Sequence, residues 1–340
     1  MTTRQTVVGG ALQPYAWGRH NALLPFKPDA EPGPHAELWF GTHPTALSPV
    51  VAGASVSVGD APLLMKILAA ATPLSIQVHP DRAGIDALSA DSTTSGLLSD
   101  TAVKDEALIA VEPFDVLAGF REHDSAQRVF AAAGDSCADV RQHLASGDVL
   151  AAVRTLLTSP RQADTAAMCV AMDANEARIM RQVLAWYEAD RALLVAFLLQ
   201  PRTLQPGEAM FLPAGGVHAY VNGLGVEVMT SSDNVLRLGL TPKNIAVKPA
   251  LAITRPGLRP IVMKPDADGI STDLAPFAVA IVKDASVRVE QAGSVALAFD
   301  GHIVDPDSGL TAHTGQAFLL HTDGHRLDVH GTAYLAWPKS

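Results

Sequence analysis

The stretch Pro73-Leu74-Ser75-Ile76-Gln77-Val78-His79-Pro80-Asp81 limits what this chain can fold into more than any other. Its apolar residues alternate at Leu74, Ile76 and Val78. Successive side chains of a strand point to opposite faces, so Ser75, Gln77 and His79 share the other face. Pro80 lacks an N–H and ends the run. A hydroxyl, an amide and an imidazole therefore project into one space. Such a face on a half-buried strand is ordinarily solvated. A Gln and a His two residues apart are also half of a metal site, since imidazole nitrogen suits zinc and other borderline ions and the amide can add a carbonyl oxygen.

A core of the needed size is available. The 340 residues exceed the usual single-domain length, and 48% are hydrophobic against 18% charged, a folding composition. The net charge of −10 argues against extended contact with nucleic acid or an anionic membrane, both of which need clustered Lys and Arg. A small anion remains acceptable, because a few local cations decide that. Cys137 and Cys169 are the only cysteines, too few for a disulfide framework or a thiolate metal site. No apolar run approaches the ~20 residues that span a bilayer, and the N-terminus does not read as a signal peptide, so a cytoplasmic protein is expected.

Residues 6 to 60 read as short strands broken by Gly and Pro, with aromatic clusters at Tyr15-Ala16-Trp17-Gly18 and Glu37-Leu38-Trp39-Phe40. Aromatics in a β region are usually core. Glu37 and His43 sit less comfortably there, though exposure would account for either. Lys66 falls in the middle of Leu64-Met65-Lys66-Ile67-Leu68. A lysine there either snorkels to the surface or reaches a partner in a polar cavity. From Asp81 to Ala102 the chain is polar, and its Ser/Thr/Gly-rich stretch at Asp91 to Ser99 reads as a surface connection. Strand structure resumes at Lys104, and the period of two puts Lys104 and Glu106 on one face.

Residues 123 to 200 change character. Apolar residues recur at three and four spacing over Val140 to Leu157 and Ala174 to Leu199, which predicts a helical insertion of three to five helices. Strands return near Met210 and continue through Val217-His218-Ala219-Tyr220, where Asn222-Gly223 predicts a hairpin turn. Beyond it Glu227 and Met229 share a face. In Ser232-Asp233-Asn234-Val235-Leu236-Arg237-Leu238, Arg237 projects opposite a packed apolar face, an arrangement suited to an anion. From residue 256 onward short β runs with regular turns suggest an antiparallel barrel or sandwich. His302, His313, His321, His325 and His330 are scattered there and read as surface residues.

Short β runs at both ends suggest two cupin-like (jelly-roll) β-barrel modules plus an α-helical domain, a mainly β chain with a helical insertion. The expected division is a catalytic module over 1–122 and 201–255, the helical insertion over 123–200, and a C-terminal β module over 256–340. One barrel could gather Gln77, His79, Glu106 and His218 about a single ion. Two nitrogens, one carboxylate and one neutral oxygen leave room for water or substrate, which describes a catalytic site.

The order of the motifs resembles the type I phosphomannose isomerases. Those motifs are Tyr15-x-Trp17-Gly18, Glu37-Leu38-Trp39-Phe40-Gly41-Thr42-His43-Pro44, Ser75-Ile76-Gln77-Val78-His79-Pro80-Asp81, Lys104-x-Glu106, Leu212-Pro213-Ala214-Gly215 leading to His218-Ala219-Tyr220, and Ser232-Asp233-Asn234-Val235-Leu236-Arg237. The resemblance implies one zinc ion per chain on Gln77, His79, Glu106 and His218, and interconversion of mannose 6-phosphate and fructose 6-phosphate through an enediol. It also implies catalytic roles for Arg237, Lys104, Glu227 and Asp233. Substrate would contact Ser75, Lys66, Lys104, Trp17 and Tyr220, with Ser75 and Lys104 at the phosphate. The implied partner is a small sugar phosphate, with no nucleic acid and no membrane, in a monomer or small homo-oligomer. Where the family commonly reads Asn-His-Lys-Pro-Glu, this chain has Ala102-Val103-Lys104-Asp105-Glu106, so Val103 replaces a histidine sometimes cast as acid or base. The competing class is a metal cupin that oxidises, or only binds, a sugar-like ligand.

Overall fold

A computed structural model of the chain describes residues 4–159, 161–267, 269–271 and 275–339. The elements that matter are, in the N-terminal part, β1 (Gln5–Gly9), β2 (Glu37–Phe40), β3 (Val50–Gly53), β4 (Leu63–Ala70), β5 (Ile76–Val78), α1 (Arg82–Ala90), β6 (Glu106–Ala110) and β7 (Phe114–Phe120). The helical segment contributes α2 (His123–Ala131), α3 (Ala138–Ala145), α4 (Val149–Thr158), α5 (Thr165–Val170), α6 (Ala174–Tyr187) and α7 (Leu193–Ala196). Then come β8 (Leu199–Leu204), β9 (Ala209–Leu212), β10 (His218–Thr230), β11 (Leu236–Gly239), β12 (Phe277–Lys283), β13 (Ser294–Val304), β14 (Thr311–His313), β15 (Gln316–Leu320) and β16 (His325–Pro338).

Among the described residues two large antiparallel sheets dominate. An eleven-stranded sheet runs β9-β6-β10-β4-β2 through its middle, with β5 beside β10 and β11 and with β7 beside β8 and β10. A nine-stranded sheet has β12-β16-β13-β15-β1-β3 at its centre, so two N-terminal strands complete the C-terminal sheet. The protein is thus mainly β with a helical segment, as the sequence predicts.

Alternation explains how the sheets stack. Met65, Ile67 and Ala69 of β4, Ala107 and Ile109 of β6, and Val226 and Val228 of β10 pack in one apolar layer with Val295, Leu297 and Leu319 of the second sheet. The intervening residues Leu68, Ala70, Leu108 and Ala110 belong to a different layer, with Phe114, Val116 and Tyr220. These strands are apolar on both faces because both are covered. The exceptions on the second face are Lys66, Glu106 and Glu227. Ile76, Val78, Leu236 and Leu238 meanwhile pack on the helices, so Gln77 and Arg237 face the other way, as their alternation requires.

Two local expectations, the helix count and the turn at Asn222-Gly223, need correction, and two details are new. The polar connection after Asp81 contains α1, whose first turn is capped by Asp81 accepting from the Gly84 N–H at 2.7 Å, and whose Ile85 and Leu88 are buried. The periodic run from 140 to 157 is two helices, because Gly147 takes φ +78° and Asp148 caps α4 by accepting from the Ala151 N–H. The segment consequently holds six α-helices among the described residues, one only four residues long.

Finally, Asn222-Gly223 is not a turn. β10 passes straight through it, pairing with β7 before this point and with β4 and β6 after it, so the dipeptide is a corner where one strand changes neighbours. Glycine is required because a Cβ at 223 would lie 2.4 Å from Cδ2 of Phe114, and the Asn222 amide is spent on the Ala71 carbonyl and Arg19.

The helical segment is pinned by charge as well as by packing. Arg178 of α6 grips Asp115 of β7 with two hydrogen bonds of 2.6 Å, and Arg121 bonds Glu176 at 2.7 Å and the Phe197 carbonyl at 2.9 Å.

Candidate metal centre and active site

Two cross-strand rows meet inside the first β unit. Trp39, Lys66, Glu227 and Leu108 are successive partners across β2, β4, β10 and β6. From the opposite side Ala118, His218, Gln77 and Arg237 are successive partners across β7, β10, β5 and β11. Direct partners share a face, so each row presents its side chains together. The corner at Asn222-Gly223 lets one strand serve both rows, with His218 on one side and Glu227 on the other.

Ligand-type atoms of His79, Glu106 and His218 lie within 4.8 Å of one another, and all three residues are buried. Gln77 stands directly across from His218 in the strand register. The tautomers follow from the backbone. The Nδ1 of His79 lies 2.8 Å from the Asn234 carbonyl and that of His218 lies 3.2 Å from the Gly216 carbonyl, and a carbonyl can only accept. Each ring therefore carries a proton on Nδ1 and turns its Nε2 inward. The Nε2 of His218 is buried without a hydrogen bond, yet it sits 2.8 Å from a Glu106 oxygen. With Nε2 free to act as a ligand, its lone pair facing a carboxylate oxygen at that distance is repulsive unless a cation lies between or beside them. The residues fit a divalent ion, and the donor chemistry is that of a zinc-type catalytic set.

Lys104, expected at a phosphate, has its ammonium 2.7 Å from Glu106 and 3.2 Å from the Nε2 of His79. Burial and that ammonium push His79 down to about 4, so the ring is neutral at physiological pH. Burial would raise the Glu106 carboxyl, but the Lys104 ammonium beside it holds it well below the usual carboxylate range. The hydroxyl of Tyr220 donates to Glu106 at 3.4 Å, and burial beside Glu106 and Glu227 keeps this phenol protonated.

The second group is built on Lys66. Its ammonium lies 2.8 Å from Glu227, 3.6 Å from Glu37 and 4.9 Å from the centre of the Trp39 ring. Burial opposes its charge, and Glu227 and Glu37 more than offset that and keep it protonated. Burial raises the Glu37 carboxyl, with Lys66 pulling the other way. Arg237 is half buried beside Gln77, and Asp233, half buried, lies 3.5 Å from the Nε2 of His43. Trp17 packs on the apolar layer of Leu68 and Phe114, and Ser75 is half buried just ahead of β5.

Glu37 and His43, for which exposure was an available account, are 6% and 2% exposed and belong to this cluster. The available signal is a carboxylate wedged between Ala36 and the apolar run Leu38-Trp39-Phe40. Asn234 is missed as well. Its fully buried amide accepts from the Ser99 and Asp100 N–H groups and donates to Asp100 and the Ala102 carbonyl, which fixes the carbonyl that holds His79.

Comparison with known proteins adds to this geometry. A family model described as the catalytic domain of type I phosphomannose isomerase matches residues 52–123. The chain is 33% identical over 283 residues to the mannose-6-phosphate isomerase of Escherichia coli (strain K12), covering 71% of this chain and 72% of that protein. With the Homo sapiens mannose-6-phosphate isomerase the identity is 32% over 301 residues, covering 70% of each. A crystal structure of mannose 6-phosphate isomerase bound with zinc and yttrium superimposes over 100% of both chains with a TM-score of 0.83 and 25% identity.

Proposed function

This chain belongs to the mannose-6-phosphate isomerase family, and from that premise we infer how its own residues interconvert mannose 6-phosphate and fructose 6-phosphate. The observation that carries the reading is the unsatisfied Nε2 of His218 facing the Glu106 carboxylate in a set completed by His79 and Gln77. Gln77, His79, Glu106 and His218 would hold one ion per chain, and zinc suits both these donors and the relative described with zinc bound. Lewis-acid charge at O1 and O2 of the open-chain sugar is the chemistry that ion supplies when bound.

The remaining work falls to side chains. Glu227, steadied by Lys66, takes the proton from C2, while the Lys104 ammonium gives a proton to O1, leaving the enediol. Glu227 then returns its proton to C1, and Lys104 recovers one from the O2 hydroxyl as the ketone forms. Arg237, opposed by Asp233, stabilises the charge that develops on the oxygens. Ser75 binds the phosphate, with Trp17 and Tyr220 shaping the pocket. Lys66 contributes positive field, its charge already committed to Glu37 and Glu227. Lys104 and Glu227 need no histidine at Val103 to complete this cycle.

The division into a catalytic module (1–122 and 201–255), a helical insertion (123–200) and a C-terminal β module (256–340) fits this reading, with β1 and β3 lent to the C-terminal sheet. His79, Glu106 and His218 come together within one chain, which suits a monomer or small homo-oligomer. No helix among the described residues is long and apolar enough to cross a membrane. Two free, buried cysteines suit the reducing cytoplasm, and the net charge of −10 suits a protein that does not bind nucleic acid. The test is a coupled assay for fructose 6-phosphate before and after chelation, with metal content measured in parallel. Activity that persists undiminished in metal-free protein would overturn the assignment.

A further inference from the structure

His43 stands on a small hairpin beside the Lys66 cluster. Thr42–His43 pairs with Ala46–Leu47 across the turn Pro44-Thr45. The Ser48 hydroxyl accepts from the Gly41 N–H and donates to the Trp39 carbonyl, each at 2.9 Å, and the Thr42 hydroxyl accepts from the Ala61 N–H at 2.8 Å. These bonds tie the hairpin to β2. They also seat the buried imidazole in a T-shaped contact with the Trp39 ring, with centres 5.2 Å apart.

The hairpin fixes which nitrogen carries the proton. The Thr45 backbone N–H lies 3.3 Å from Nδ1 and can only donate, so Nδ1 accepts, and the Thr45 hydroxyl donates to the same atom at 2.9 Å. Burial pushes the imidazole below its ordinary value, with Asp233 pulling the other way, so the ring is neutral near pH 7. Its one proton is then on Nε2, which faces the Asp233 carboxylate at 3.5 Å.

Among the described residues His43 is the one direct partner recorded for that carboxylate. Arg237 records no hydrogen bond and no ion pair among them, and Asp233 acts on it through charge alone. The guanidinium is thus free for a substrate oxygen, and the carboxylate that biases its direction is itself faced by His43. Capping the turn accounts for Nδ1. It does not account for an N–H aimed at a half-buried carboxylate beside Arg237.

We propose that His43 is a positioning residue for the isomerisation, its Nε2–H holding the Asp233 carboxylate so that Asp233 keeps Arg237 aimed at the sugar oxygens. The inference rests on the isomerase reading and adds to it a group that acts without touching the substrate.

Two substitutions separate the nitrogens. Asn puts its amide oxygen where Nδ1 lies and still accepts from the Thr45 N–H, as in an Asx turn, but has nothing at Nε2. Gln carries its amide N–H out toward the Nε2 position. His43→Asn is expected to melt like wild type and keep one equivalent of metal. Its kcat for mannose 6-phosphate should fall at least about tenfold, toward the roughly 10²-fold that a small misplacement costs, with KM little changed. His43→Gln should restore most of that loss. In an Asp233→Asn background His43→Asn should have no further effect, because the two groups act in series. Wild-type kcat in His43→Asn, or the same fold-loss in both backgrounds, would overturn the proposal, and an early melt of His43→Asn would assign the residue to the turn and count equally against it. A wild type that forms no fructose 6-phosphate would overturn the isomerase reading and this inference with it, whereas turnover unaffected by His43→Asn overturns this inference alone.

Discussion

Glu227 and Lys66 are direct cross-strand partners, and their charged atoms approach to 2.8 Å with both side chains buried. Removing one member of such a pair strands the other charge away from water. Lys66→Met is therefore expected to lose about 3–5 kcal/mol of unfolding free energy. The double variant Lys66→Met/Glu227→Gln should recover part of it. Denaturant unfolding of the single and double variants decides the matter, and a single variant as stable as wild type would show the pair to be solvated.

The ion-binding set gives a second prediction. Replacing His218 by Ala removes a ligand and relieves the lone-pair clash with Glu106 at once. Metal content after dialysis should collapse, and affinity should fall by more than the roughly 10- to 100-fold that loss of an outer-shell partner costs. The metal-free variant should unfold no more easily than metal-free wild type. Greater stability of that wild-type protein would mean that the contact is favourable without a cation.

Asn234 tests the outer shell itself. Its amide ties Ser99, Asp100 and Ala102 to the peptide whose carbonyl holds His79. Asn234→Ala keeps that carbonyl and loosens its support, so metal affinity is expected to drop about 10- to 100-fold. Competition against a chromogenic chelator measures it, and unaltered affinity would show that the carbonyl needs no such brace.

Arg237→Ala is expected to lower kcat/KM for mannose 6-phosphate by about 10²- to 10³-fold, the usual cost of losing one donor to a developing oxyanion. The metal content should stay at one equivalent. Steady-state kinetics with metal analysis checks both, and unchanged turnover would remove Arg237 from the reaction.

The attachment of the helical segment should be acid-sensitive. Burial pushes the Asp115 carboxyl up, but hydrogen bonds from Arg178, Thr203 and Gln182 outweigh it and leave the group below its ordinary value. A depressed carboxyl stabilises the fold fully above its unfolded pKa of about 3.9, and the contribution is lost as pH falls through the lower folded value. The stability gap between wild type and Asp115→Asn should accordingly be flat from pH 7 to about 5 and narrow below pH 4. A gap that stayed constant to pH 3 would contradict the assignment.

Much of the site could be read from residue order, because strand alternation is a local rule. The polar face of Gln77 and His79, the Lys104 and Glu106 pair, and the outward Arg237 all follow from a period of two. What alternation cannot reveal is which strand a given face will meet. Glu37 and His43 looked capable of being surface groups because nothing near them in sequence announces Lys66 or Asp233. Asn222-Gly223 carries a turn signature, and only the distant Phe114 ring explains why glycine stands there without one. Asp148 shows the opposite case, since an Asp after a Gly inside a periodic run is a local break that the periodicity concealed.

The strands that carry Lys66, Glu106 and Glu227 present Met65, Ile67, Ala107, Ile109, Val226 and Val228 to the other sheet. They act as a party wall, with the buried charged cluster on one side and the fold's main apolar seam on the other. Trimming a methylene behind that wall, as in Ile67→Val, deletes no charged group but loosens the packing behind the strand that carries Lys66. If the proposed roles hold, the placement of those groups depends on the fit of residues that a substrate never meets, with the C-terminal sheet as their backing.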